Sequence, residues 1–349
     1  MIEIAPSGRK IGDGHPVFVI AEAGVNHNGE LSLAKELVDA ANESGADAVK
    51  FQTWITSELV AADAPMAEYQ QENVGTSQSQ YEMLEALELS QSDFSELRDY
   101  AERRGILFFS TPDEPHSADF LDQLGAPLFK IGSGEVTNLP FLRYVAAKGK
   151  PLILSTGMST LGEVEEAVRT IEATDNRQLI LLHCVSDYPA DPADCNLRAL
   201  DTLRTAFGYA TGFSDHTLGY ETALAAVARG ACVIEKHLTL DKSMAGPDHR
   251  ASMNPAELAD LVTSIRKVES ALGTGHKRPT LAELETRKVV QKSIVTSRDL
   301  AAGSILQEAD LALRRTSGGL PPAELPQVLG RRLKAAVSAE HPLRWKDLR

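Results

Sequence analysis

Val233–Arg250 reads "VIEKHLTLDKSMAGPDHR". An apolar, β-branched run becomes ionisable at Glu235, Lys236 and His237, then passes through Gly-Pro to Asp248, His249 and Arg250. Taken singly, this is a strand reaching solvent. Its weight comes from recurrence. The runs "VFVIAE" (17–22), "ADAVKFQ" (46–52), "ILFFSTP" (106–112), "PLFKIGS" (127–133), "PLILSTG" (151–157), "LILLHC" (179–184) and "YATGFSD" (209–215) are also short, β-rich and finished by polar groups. Between them lie segments such as "ELSLAKELVDAANESG" (30–45) and "TLGEVEEAVRTIEA" (160–173), with apolar residues every three or four positions. That is the periodicity of a crossover helix, the first closing on Gly45.

Eight β-then-α units in a span of about 250 residues are the count and length of a (β/α)8 TIM barrel. The competing doubly wound sheet calls for a GxGxxG turn after its first strand, and "AGVNHNGE" (23–30) lacks that spacing. The expected fold class is therefore α/β, a barrel over residues 1–275. A polar linker follows over 276–290, then a small, mainly β domain over 291–349 whose core would be slight. The polar insert between Ile55 and Leu89 is expected as a loop with helical pieces over one mouth of the barrel.

The formal net charge of −14 excludes sequence-independent nucleic-acid binding, which needs a basic surface. No 18-residue apolar run and no signal peptide are visible, so neither a membrane partner nor export is expected. Three cysteines, Cys184, Cys195 and Cys232, sit at no metal-type spacing and fit a reduced cytoplasm. Cys184 and Cys232 read as small core residues.

Barrel active sites lie at the carboxyl ends of the strands. Those positions hold Glu22; Lys50 and Gln52; Ser110 and Thr111; Lys130, Ser133 and Glu135; Ser155 and Thr156. The remaining units give His183, Ser186 and Tyr188; Ser214, Asp215 and His216; Glu235 and His237. Lysines, hydroxyls and the turns "GSGE" and "STGM" suit a ligand with phosphate and carboxylate oxygens. Lys50 or Lys130 could instead form a Schiff base. His216 and His237, on neighbouring strands, could share a divalent metal near Glu22, or could simply be hydrogen-bonded structural histidines.

The stretches "IAEAGVNHNGELSLAKELVDAANESGADAVKFQ", "STPDE", "KIGSGEVTNLPFL", "LSTGMSTLGEVEEAV", "HCVSDYPADPADCNL", "GFSDHTLG" and "EKHLTLDKSMAGPDHRASM" resemble the sialic acid synthase family. The tail, with "LRRTSGGLPP" and "LGRRLKAAV", is similar to its antifreeze-like (SAF) domain. The resemblance implies condensation of phosphoenolpyruvate with an open-chain N-acetylated hexosamine, N-acetylmannosamine being the preferred acceptor. A 2,4-diacetamido-2,4,6-trideoxy hexose is the alternative.

By motif position, Lys50, Thr111, Lys130, Ser133, Ser155, Ser186 and Ser214 would hold phosphoenolpyruvate. His216 and His237 would bind a divalent cation, Mn²⁺ with Mg²⁺ or Co²⁺ as alternatives. Glu135 would position the attacking water. Glu22, Gln52, Tyr188 and Asp248 would hold the sugar, and Arg315 would reach its N-acetyl group in a domain-swapped homodimer. Two positions depart from the family pattern. Ser186 stands where asparagine is usual, and Arg315-Thr316-Ser317 replaces Arg-Pro-Gly, which leaves Arg314 as a substitute for Arg315. Outside this reading stand a Schiff-base aldolase and a non-enzymatic anion- or sugar-binding protein.

Overall fold

The computed structural model describes residues 1–5, 8–67, 70–71, 73 and 79–349. Of the insert between Ile55 and Leu89, 68–69, 72 and 74–78 therefore lie outside the described residues. The chain forms two compact units, Met1–Gly273 and Thr274–Arg349.

The first unit begins with an antiparallel hairpin, β1 (Ile2–Ile4) and β2 (Arg9–Ile11). Eight parallel strands follow: β3 (Phe18–Gly24), β4 (Ala48–Thr53), β5 (Leu107–Pro112), β6 (Phe129–Ile131), β7 (Leu152–Ser155), β8 (Leu179–Cys184), β9 (Ala210–Asp215) and β10 (Val233–His237). They form one sheet in the order β5-β4-β3-β10-β9-β8-β7-β6, and its two ends, β5 and β6, lie side by side. The result is the TIM-type barrel expected from the strand count.

Successive strand residues face opposite sides, and the apolar clusters separate accordingly. Phe18 and Ile20 point inward with Phe109, Ile153, Ile180 and Val233, whereas Val19 and Ala21 pack outward against the helices. Ile2, Ile4 and Ile11 of the hairpin join the inner cluster, so β1 and β2 plug the amino-terminal mouth. At Gly212 a Cβ would fall 2.6 Å from Leu182 Cδ2 and from the Val233 carbonyl, so only glycine lets the three strands meet there.

The helices form where the periodicity predicts. Leu161–Glu172 starts at a Thr160–Glu163 capping box and buries Val164, Ala167, Val168 and Ile171. Leu31–Glu43 ends beside Gly45, whose φ of +78° fits the left-handed stop. The insert supplies the helices Thr56–Leu59 and Gln80–Leu87, packed through Met83 and Leu87 on Val25, Trp54 and Met66. Among the described residues, no helix is long and apolar enough to cross a membrane.

The second unit is mainly β. Its strands β11 (Lys292–Thr296) and β12 (Leu311–Arg315) pair antiparallel over a small core that includes Ile294, Leu306, Leu320, Leu333 and Leu343. The stretch read as a linker contains a helix, Leu281–Val290, capped by Thr280 and with no buried residue. Composition reads as linker there because no apolar stripe is needed to hold an exposed helix.

Candidate active site

At the carboxyl end of the barrel the inward positions change character together. Glu22, Lys50, Lys130, Ser155, Ser214, Glu235 and His237 are all buried, around a cavity of about 440 Å³. Lys50 Nζ lies 2.6 Å from Glu22 Oε2 and donates to Thr111 Oγ1 at 3.0 Å. Glu235 bridges the two lysines, 3.4 Å from Lys130 Nζ and 3.9 Å from Lys50 Nζ, and accepts from Ser214 Oγ at 2.8 Å. Gln52 Nε2 donates to Glu22 Oε1 at 2.9 Å.

Beside this network stand the two imidazoles, ring centroids 5.4 Å apart, with the Tyr188 ring 4.1 Å from that of His216. Ser133, Ser186 and Cys184 converge on Gly157 from the other side. A Cβ on Gly157 would overlap Ser186 Oγ and come within 2.9 Å of Cys184 Sγ and Ser133 Oγ. The Gly157 N–H donates to Ser133 Oγ at 3.0 Å. Such a nook of hydroxyls and backbone N–H suits anionic oxygens.

Burial raises the Glu22 carboxyl above the ordinary glutamate range; Lys50 opposes this and Glu235 adds to it. Burial would raise Glu235 too, but Lys130, Lys50 and the Ser214 hydroxyl outweigh it, so Glu235 is held low and ionised. Burial works against the Lys50 ammonium, and Glu22 with Glu235 reverse it, leaving Lys50 above the usual lysine value. The site thus holds its charge as an interlocked set in which, of the two glutamates, Glu22 is the one readier to carry a proton.

Desolvation lowers both histidines, His237 strongly with repulsion from His216 and Lys50 adding to it. Both imidazoles are neutral, the form a metal takes. His216 Nδ1 lies 2.6 Å from the Val185 carbonyl; donating there leaves the Nε2 lone pair free, 3.3 Å from Ser214 Oγ. His237 Nδ1 is buried without a hydrogen-bond partner, 3.6 Å from Asp248 Oδ2. An orphaned imidazole nitrogen beside a carboxylate is a donor set that fits a divalent cation with open positions. Among the described residues, the only three His, Cys, Asp or Glu side chains with donor atoms within 4.8 Å of one another are Glu58, Glu114 and His116. Glu114 is already engaged there as the cap of helix Pro115–Gln123, accepting from the His116 and Ser117 N–H groups.

Of the residues singled out from sequence, Glu22, Lys50, Gln52, Thr111, Lys130 and Ser133 line the cavity. So do Ser155, Ser186, Tyr188, Ser214, His216 and His237. Asp248 is buried behind His237, with burial raising its carboxyl to about 6. Glu135 lies in the turn Ser133–Glu135, half-buried, its carboxylate accepting from Asn138 Nδ2 at 2.7 Å. Arg315 ends β12 in the second unit and is exposed, while Arg314 pairs with Glu340 at 2.8 Å.

Cys184 and Asp113 also line the pocket without having been named at the strand ends, and Glu235, named there, had no role assigned. Cys184, read from sequence as core, faces the pocket with Sγ 3.2 Å from Ser133 Oγ. Burial lifts Asp113 to about 7, Glu135 and Glu22 adding to it against Lys50. Conversely, His183 points outward and contacts the Cys195 carbonyl at 2.7 Å. Strand parity separates these cases: Glu235 shares the inward face of Val233 and His237, whereas His183 falls on the outward one.

The NeuB family model matches residues 37–277 and the SAF domain model matches 291–349. The chain belongs to the NeuB family. As a NeuB-family protein it is an enzyme of the nonulosonic acid synthase class. It is 49% identical to the N,N'-diacetyllegionaminic acid synthase of Legionella pneumophila, over 98% of this chain and 99% of that one. It is 35% identical to the N-acetylneuraminate-9-phosphate synthase of Homo sapiens, over 97% and 94%. Among solved structures, the N-acetylneuraminic acid synthetase of Leptospira borgpetersenii, in complex with citrate, matches at a TM-score of 0.72 and 36% identity. That match covers 82% of this chain and 97% of that one.

Proposed function

We propose that this NeuB-family enzyme condenses phosphoenolpyruvate with an open-chain 2,4-diacetamido-2,4,6-trideoxy hexose and water, releasing a nine-carbon 2-keto acid and phosphate. The observation that carries the reaction is the convergence of Lys50 and Lys130 with His216 and His237 on one cavity. The choice of acceptor rests on the 49% identity to a legionaminic acid synthase against 35% to a neuraminate-9-phosphate synthase. It replaces N-acetylmannosamine, the acceptor expected from the motifs, which stays the second reading because of the 36% identity to the Leptospira enzyme.

In this reading Lys50, Lys130 and Thr111 hold the carboxylate and phosphate of the enol, with Ser133, Ser155, Ser186 and Ser214 donating to the remaining oxygens. Gln52, Tyr188, Asp248 and Glu22 orient the acceptor. A divalent cation on His216 and His237, Mn²⁺ with Mg²⁺ or Co²⁺ as alternatives, would supply Lewis-acid polarisation of the aldehyde oxygen. C3 of the enol bonds to the aldehyde carbon, whose oxygen takes a proton from Glu22 as C2 becomes cationic. Glu135, its carboxyl raised by burial against the Asn138 hydrogen bond, accepts a proton from the water that adds at C2. The bond from C2 to the bridging oxygen then breaks as the C2 hydroxyl becomes the keto group, its proton leaving with the phosphate. Arg315 binds the acceptor's N-acetyl group from a partner subunit, which requires a homodimer.

Phosphate release from phosphoenolpyruvate with each sugar, in Mn²⁺ with and without EDTA, tests this. Turnover is expected with the diacetamido sugar and lost with chelator. Turnover with N-acetylmannosamine alone overturns the acceptor, and undiminished turnover in EDTA overturns the metal.

A further inference from the structure

A second ion pair is buried in the barrel wall, and the reaction above makes no use of it. Alternation along β9 and β10 puts Asp215 and Lys236 on the outer face, opposite to Ser214, Glu235 and His237. They are direct partners in the parallel ladder. Lys236 Nζ lies 3.0 Å from Asp215 Oδ2 and donates to the Thr217 carbonyl at 2.5 Å. Asp215 Oδ1 accepts from the Thr217 N–H at 2.9 Å and from its hydroxyl at 2.8 Å. The two side chains are 1% and 0% exposed.

A pair so deeply buried adds little net stability, because desolvating both charges offsets their attraction and apolar side chains would pack as well. Its contacts do, however, bracket His216. Residues 215 and 217, on either side of that histidine, are both tied to the side chain that immediately precedes His237. Thr217 lies beyond the end of β9, where it makes a single parallel bridge to Ala190, and the Lys236 ammonium holds its carbonyl against β10. The peptide bearing His216 cannot swing away from β10 without breaking these bonds. From the inner side, His216 Nδ1 is fixed by the Val185 carbonyl. No comparable contact holds His237 Nδ1, so the spacing of the two rings depends on the backbones of β9 and β10.

We infer that Lys236 and Asp215 are positioning residues that set the separation of His216 and His237 and keep the cation site preformed. This rests on the reading that those two histidines bind a divalent cation. Partners that orient metal ligands without touching the metal change its affinity by roughly tenfold or more when removed.

The test is Mn²⁺ alone, titrated into the full-length protein and followed by the electron paramagnetic resonance signal of the free ion. Wild type, His237→Ala and the double variant Asp215→Asn/Lys236→Met are compared, with thermal melting of each. The double variant is chosen because Lys236→Met alone strands the Asp215 charge in the wall, whereas Asn at 215 keeps the acceptor for Thr217. The expected result is a double variant that melts near wild type but binds Mn²⁺ about tenfold or more weakly. At saturating Mn²⁺ its KM for phosphoenolpyruvate should stay within about twofold of wild type, since the pair lies outside the anion cradle. A folded double variant with wild-type Mn²⁺ affinity overturns the inference. So does one that no longer folds, which would assign the pair to stability. If wild type leaves the free-ion signal undiminished, or His237→Ala binds as tightly, the metal reading fails first and takes the inference with it.

Discussion

The two mouths of the barrel are made by the same eight strands and differ by a single inward step. Ile20 is followed two residues later by Glu22, Ala48 by Lys50, Phe109 by Thr111, and Leu128 by Lys130. On the other side Ile153 gives way to Ser155, Leu182 to Cys184, Gly212 to Ser214, and Val233 to Glu235. One step spans about 6.6 Å. Below it lies the cluster that the hairpin residues Ile2, Ile4 and Ile11 complete; above it lies a ring of buried charge. The lower layer stabilises by excluding water, each large apolar side chain contributing about 1.5–3 kcal/mol. The upper layer has paired charges that burial penalises. Stability and chemistry are thus divided along each strand rather than between strands.

The sharpest way to break this division is His237→Ala, which removes an upper-layer group that is not part of the lower apolar cluster. Phosphate release should fall by about a thousandfold or more if the cation is lost, with a melting temperature close to wild type. Undiminished turnover would falsify its role as a ligand. Next comes Lys50→Met, which leaves Glu22 with no cation beside it and Glu235 with Lys130 only. Breaking a buried pair costs about 3–5 kcal/mol, to be read from urea unfolding, and activity should vanish with it.

The opposite test belongs to the lower mouth. Ile4→Ala should lower stability by about 2–5 kcal/mol while kcat at 25 °C stays near wild type. A kcat loss matching the stability loss would mean that the two layers are not separable. Gly157→Ala is expected to be milder, raising the KM for phosphoenolpyruvate about tenfold because its methyl enters the space among Ser133, Cys184 and Ser186. An unchanged KM would remove that nook from the anion site.

The smallest effect is in pH. Asp113 titrates at about 7 in the folded protein, against an ordinary value of 3.8. Its contribution to stability is complete below the ordinary value and is lost as pH rises through 7, because the folded state then binds the proton more tightly. Asp113→Asn escapes that loss. Its melting temperature should therefore exceed wild type by a few degrees at about pH 8, the gain shrinking toward about pH 4. A gain independent of pH would have another origin.

Much of this was legible in the residue order. The barrel follows from eight β-rich runs and the helical segments between them, and the site from polar groups recurring at the strand ends. What the order of residues does not carry is parity. A one-residue slip in a strand exchanges its faces, so His183 and Asp215 looked as available as Ser186 and Ser214 although both face outward. On β10 the strand-end reading took Glu235 and His237, which share the inward face of Val233, and left out the outward Lys236. Asp113 was missed because it lies just past β5, where alternation no longer applies. The helix Leu281–Val290 was read as linker because it buries nothing, and exposed helices leave only capping signals such as Thr280 with Glu283.

The amino-terminal plug has a consequence for synthesis. Ile2, Ile4 and Ile11 leave the ribosome before any barrel strand, yet the ring they close is finished only when Val233–His237 has been made. These isoleucines are therefore among the last residues to find their place, and more than two hundred residues must emerge while they are still unshielded. The hairpin can be sealed in only after the last strand of the ring is in place.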